Sequence, residues 1–158
     1  MNGTEIAKWS ERVQHLLVIC EGHSPDPARV LDDLHRILET GPEPICGPVR
    51  PGLSRAALHG LLEAGAPESA ALGLVGGCTY MLSRGREGMV IASMLTPNCE
   101  RDYSFSADSE AVALAGALAT CLQERLRERA QADRAAAYPA RNRKSPSTAL
   151  SRSPRRDV

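Results

Sequence analysis

The hydrophobic period of this chain changes near Pro67, and that change limits the folds open to it. Before Pro67, apolar residues recur at three- and four-residue steps, as on helices with one buried stripe. After it come short apolar or alternating segments bounded by glycine, as in strands. Helical steps resume near Ser109. A chain with this order reads as an α+β layered domain.

Within residues 4–20, Ile6, Trp9, Val13, Leu16, Leu17 and Cys20 fall on one stripe, with Glu5, Lys8, Glu11, Arg12 and Gln14 off it and Thr4 as N-cap. In Ser24-Pro25-Asp26-Pro27, Asp26 suits a cap and Pro27 the first helical position, where its missing N–H does no harm. The helix that follows would bury Val30, Leu31, Leu34, Ile37 and Leu38 and end on a left-handed Gly41. The link Glu21–Pro25 is short, so residues 1–40 are expected to form an antiparallel helical hairpin.

Residues 41–52, GPEPICGPVRPG, hold four prolines and three glycines and read as a linker without regular structure. Ser54 would cap a further helix with Ala57, Leu58, Leu61 and Leu62 inward and Gly65 as its stop. Strands are expected over 70–75 (AALGLV), 78–84 (CTYMLSR), 89–95 (MVIASML) and 101–106 (RDYSFS), the last with Tyr103 and Phe105 on one face. Gly85-Arg86-Glu87-Gly88 suits a hairpin turn with both glycines at positive φ. Asp108 would cap a final helix to about Ala136, its stripe formed by Ala111, Leu114, Ala115, Leu118, Leu122 and Leu126. The expected architecture is a hairpin over 1–40, a linker over 41–52, an α-β-β-β-α sandwich over 53–136 with a small antiparallel sheet of three or four strands packed with flanking helices, and a disordered basic tail over 137–158.

The segment Ser54–Leu126 resembles the small phage ABA sandwich domains of phage and prophage proteins of bacteria. The likeness lies in a first helix (SRAALHGLLEAG), a glycine-bearing hairpin (GGCTYMLSRGREGMVIAS) and an alanine-rich last helix (SADSEAVALAGALATCLQERL). It implies the fold and a mobile-element origin, and it carries no catalytic residues.

Several function classes are disfavoured. At 158 residues the chain has room for one domain with tails. No apolar run approaches the roughly 18–20 residues of a membrane span, so no membrane partner is expected. MNGTEIAKWSERVQ places charge where a signal peptide needs an apolar stretch, which points to the cytoplasm. Cys20, Cys46, Cys78, Cys99 and Cys121 then read as reduced thiols. Cys20-Glu21-Gly22-His23 offers half a zinc site, but no second close pair completes it, so neither metal nor cofactor is expected. Gly73-Leu74-Val75-Gly76-Gly77 lacks the GK[ST] of a phosphate loop, and Asp32-Asp33 and Glu124/Glu128 read as solvated carboxylates.

Three functional readings remain. Ile6, Trp9, Val13 and Leu16 form a seam that either packs on the chain's own sheet or docks a protein partner or a second copy. Arg141, Arg143, Lys144, Arg152, Arg155 and Arg156 stand against Asp157 alone in the last twenty residues, a net +5, while residues 1–138 hold thirteen basic and eighteen acidic residues, a net −5. That tail suits salt-sensitive nucleic-acid contact, or contact with the acidic body. Gly76-Gly77-Cys78 would suit a thiol enzyme if His15, His35 or His59 served as base. The leading expectation is a small, non-enzymatic, protein-binding or regulatory protein acting through an apolar helical face.

Overall fold

Caps and prolines set most of the helix starts. The computed structural model describes residues 3–85, 88–97 and 99–137. Along them run α1 (Gly3–Cys20), α2 (Pro27–Thr40), α3 (Glu43–Cys46), a 3₁₀ turn at Gly47–Val49, α4 (Arg55–Glu63), α5 (Pro67–Val75), β1 (Thr79–Arg84), β2 (Val90–Leu95), β3 (Tyr103–Ala107) and α6 (Glu110–Ala137). The Asp26 carboxylate accepts from the Ala28 amide at 3.0 Å to cap α2, and Ser54 Oγ accepts from Ala57 at 3.3 Å to cap α4. Gly65, at φ +69°, follows the end of α4 in the left-handed conformation that glycine adopts without strain.

Several expectations fail locally, each for a physical reason. Residues 70–75 are helical, not a strand. Pro67 opens α5, Glu68 favours its positive end, and Ala70, Ala71, Leu74 and Val75 make a buried helical face. The cap of α6 is Ser109, whose Oγ accepts from Val112 at 3.3 Å, because Ser109 rather than Asp108 directly precedes the first helical residue. Thr4 lies inside α1. Gly41 is extended (φ −75°, ψ 161°), so α2 does not end in a left-handed turn. Its Ile37 carbonyl instead accepts from the Trp9 indole at 2.9 Å, across from α1. In the β1–β2 turn Gly88 takes positive φ (+85°) and Gly85 does not. Residues 41–52 are not structureless. Pro44 and Pro48 sit in the first positions of two short turns, where a missing N–H is tolerated, and Ile45, Cys46 and Val49 are buried.

The sheet is a three-stranded antiparallel meander, β1-β2-β3, giving a mixed α+β fold. The long α6 packs across β2 and β3 on one side and against α1, α2 and α5 on the other. That double covering explains its composition. From Ala111 to Ala119 every residue is buried, and most are alanine or glycine. A helix apolar all round lies in an interior, and small side chains let sheet and helices approach it closely. Gly116 marks the closest approach, since the Phe105 ring of β3 fills the space a Cβ would occupy. One apolar cluster runs from Trp9 to Leu122 and includes both helices of the N-terminal hairpin.

Polar contacts fasten the outer helices. Asp32 of α2 holds Arg36 at 2.6 Å, His59 at 3.2 Å and Arg55 at 3.4 Å, which ties α4 to α2. Burial alone would raise the Asp32 carboxyl, but the His59 hydrogen bond and the neighbouring cations override it and hold it below its ordinary range. His35, only 1% exposed, places Nε2 3.1 Å from the Leu53 carbonyl. A carbonyl only accepts, so that nitrogen carries the proton. Nδ1 lies 3.3 Å from Glu39 Oε2 without hydrogen-bond alignment.

Candidate interaction surface

The expected seam on α1 is covered by its own chain. Trp9, Val13 and Leu16 are at most 1% exposed and Ile6 is half-buried, because α1 packs against α2 and α6. Trp9, Val13 and Leu16 are thus covered largely by helices of the same chain. The six tail cations, Arg141, Arg143, Lys144, Arg152, Arg155 and Arg156, lie outside the described residues.

Thiol chemistry finds little support. Cys78 precedes β1 and is half-buried, and burial pushes its thiol up to about 11, against a lowering by Arg125. Burial likewise pushes Cys20, Cys46 and Cys121 up to about 12. His35 and His59 are engaged with Leu53 and Asp32, as described above, and His15 lines a cleft between α1 and α2. The thiolate is the nucleophile, so Cys78 is expected to alkylate at neutral pH about a hundredfold more slowly than an ordinary cysteine. Iodoacetamide labelling followed by mass spectrometry checks this; labelling at the rate of a free peptide thiol would contradict it. Among the described residues no group of three or more His, Cys, Asp or Glu comes together as metal ligands. No described helix is long and apolar enough to cross a membrane.

The described residues expose one face of the sheet and the β1 edge, with β3 ending the sheet on its other side. The strand register puts Tyr80, Met94 and Tyr103, then Leu82, Ala92 and Phe105, then Arg84, Val90 and Ala107 on the face toward α6. Thr79 and Leu95, then Met81, Ser93 and Ser104, then Ser83, Ile91 and Ser106 lie on the other. Ser93 and Ser104 hydroxyls meet there at 2.7 Å. In the strand order β1 is an edge, with β2 as its one extensive neighbour among the described residues. Five of its six residues are exposed, Met81 at 64% and Tyr80 at 42%.

An edge strand carries a row of unpaired backbone donors and acceptors. Proteins usually blunt it with lysine, proline, a bulge or a covering element. From Thr79 to Ser83, β1 has no charge and no proline, and its six consecutive pairs with β2 leave no bulge. Its charged end, Arg84, is drawn toward α6 by Glu110 at 2.8 Å. Comparison with protein-family models, curated proteins and solved structures returned no match. A strand at 70–75, as the sequence suggests, would precede β1; its helical state leaves β1 first in the sheet. The Thr-Tyr-Met-Leu-Ser run was the available signal.

Proposed function

We propose that this chain is a non-enzymatic protein-interaction module that works as a pair, with β1 of two copies joined antiparallel into one six-stranded sheet. The observation that carries this reading is the Thr79–Ser83 edge of β1, which is uncharged and pairs with no strand but β2 among the described residues. The chemistry of the strand favours a second copy over an unrelated peptide. Thr79-Tyr80-Met81-Leu82-Ser83 has the same kind of side chain at matching distances from its centre. A twofold axis at Met81 sets Met81 opposite its copy, Tyr80 opposite Leu82, and Thr79 opposite Ser83. Each is a favourable cross-strand pair, and a self-complementary strand is what an isologous interface requires. Met81 is then buried on the open face and Tyr80 on the face toward α6.

Other features accord with this reading. The acidic body disfavours nucleic acid, and the raised thiols disfavour covalent catalysis. Five free cysteines suit a reducing compartment such as the cytoplasm. A phage or mobile-element origin belongs to the proposal through the likeness of residues 54–126 alone.

Sedimentation equilibrium tests the pairing. At roughly 0.1 mM, where even a micromolar interface is filled, the chain is expected to weigh twice 16.9 kDa. Met81→Lys puts a charge on the open edge and is expected to give the monomer mass. Because Met81 is already exposed, its thermal midpoint in the monomeric state should hardly move. A wild-type monomer at that concentration, or a Met81→Lys dimer, would overturn the proposal.

A further inference from the structure

We infer that Met81 is an oxidation site through which a peroxide controls the pairing of β1, an inference that rests on the pairing proposed above. Met81 is 64% exposed, against 43% for Met89 in the β1–β2 turn and 1% for Met94 in β2. It presents the most accessible thioether among the described residues. It also stands in the middle of the edge strand, opposite Ser93 of β2 and on the axis of the proposed pair.

The thiols give a peroxide less to attack. A thiol reacts as its thiolate, and burial pushes Cys78 up to about 11 and Cys20, Cys46 and Cys121 up to about 12. Cys99 sits half-buried in the β2–β3 loop, where its Sγ donates to the Arg101 carbonyl at 3.5 Å. A thioether needs no deprotonation. Its sulfur lone pair attacks one peroxide oxygen, so that an S–O bond forms, the O–O bond breaks and the sulfur is oxidised by two electrons. The transferred hydroxyl gives its proton to the departing oxygen, which leaves as water.

The product changes what β1 can pair with. Methionine sulfoxide is polar where the thioether is apolar, and it accepts hydrogen bonds without donating any. On the twofold axis each sulfoxide would meet its copy, and two like dipoles would lose water with no donor between them. The monomer meets no such cost, because its side chain stays in water. Oxidation therefore raises the free energy of the pair and hardly touches that of the single chain, which is the differential a switch requires. Pairing covers Met81, so the peroxide reacts with the monomer in exchange with the pair, and the product does not return. Reduction of the sulfoxide by two thiols, which form a disulfide as the oxygen leaves in water, restores the thioether.

Sedimentation equilibrium of the full chain at roughly 0.1 mM, before hydrogen peroxide and after its removal, tests this, with peptide mass spectrometry to locate the added oxygen. The mass is expected to fall from twice 16.9 kDa to 16.9 kDa as Met81 gains one oxygen. Met81→Leu keeps an apolar side chain of similar volume and should stay paired through the same treatment, although Met89 and Cys99 remain. Met89→Leu should come apart as the wild type does. A wild type that is single before peroxide would overturn both the pairing and its control. A pair that persists with oxygen on Met81, or a Met81→Leu pair that comes apart under peroxide, would overturn the control and leave the pairing standing. So would peroxide that oxidises Met89 and spares Met81.

Discussion

Trp9→Ala is expected to destabilise the chain by about 3–5 kcal/mol, a large fraction of what a small domain possesses. Trp9 is fully buried, and its ring belongs to the one cluster that joins α1 to the rest of the core. Truncation removes that packing and leaves a cavity between helices that can only partly collapse. It also removes a hydrogen bond. The Ile37 carbonyl lies in the last turn of α2, where no further helical amide follows, and the indole N–H satisfies it at 2.9 Å. Gly41 belongs to the same arrangement. A Cβ there would stand 2.1 Å from Cys46 Sγ and 2.8 Å from the Trp9 indole nitrogen, so the chain can pass only as glycine. Trp9→Phe separates the two contributions, because it keeps much of the volume but leaves the carbonyl only the weak Cys46 thiol donor at 4.0 Å. It is expected to cost about 1–3 kcal/mol. Urea denaturation followed by circular dichroism measures both. A loss under about 1 kcal/mol for Trp9→Ala would contradict the integration of α1 into the core, since buried aromatic truncations cost several times that.

Gly116→Ala is expected to destabilise by about 1–3 kcal/mol, although alanine is favoured over glycine in a helix interior by about 1 kcal/mol. The two effects have opposite signs, and geometry decides between them. The added Cβ would lie 2.3 Å from Phe105 Cδ1, 2.5 Å from Cγ and 2.6 Å from Cε1. Those atoms are the near side of a ring, not the loose end of a flexible side chain. Either the ring turns off its rotamer or α6 moves away from β3, and both disturb the packed layer. Phe105→Leu in the same chain should recover part of the loss, because leucine leaves room for the methyl group. Chemical denaturation midpoints of the two single variants and the double variant test this coupling. Stabilisation by Gly116→Ala alone would contradict the close approach of α6 and β3.

Much of the architecture was legible in the residues, for reasons that are local. Asp26-Pro27 and Ser54 carry their helix starts in their own chemistry, and the alternation in VIASML carries the half-buried character of β2. Residues 70–75 were not legible by the same means. AALGLV between small residues suits a buried strand as well as a helix, and only the preceding Pro67-Glu68 and the two alanines tilt it toward a helix. The prolines at 44 and 48 misled because proline breaks a helix interior but not its first turn.

The interaction surface was harder to read because it depends on what covers what. The stripe Ile6, Trp9, Val13 and Leu16 is plainly apolar, yet its own spacing says nothing about whether a partner or the same chain covers it. A distant segment held that information. The run AVALAGALA at 111–119 has no polar side chain, so it must be covered all round, and a small sheet covers one side only. The N-terminal helices supply the other side. The uncharged, proline-free run Thr79–Ser83 is compatible with an exposed edge, but the edge position of β1 follows from the placement of β3.

Hydrogen exchange of the full chain, read peptide by peptide at low and high protein concentration, tests the role of the sheet edge most directly. The amides of Thr79–Arg84 are expected to gain protection as concentration rises, while those of α1 stay equally protected at both. β1 amides that exchange at one rate at every concentration would contradict the pairing.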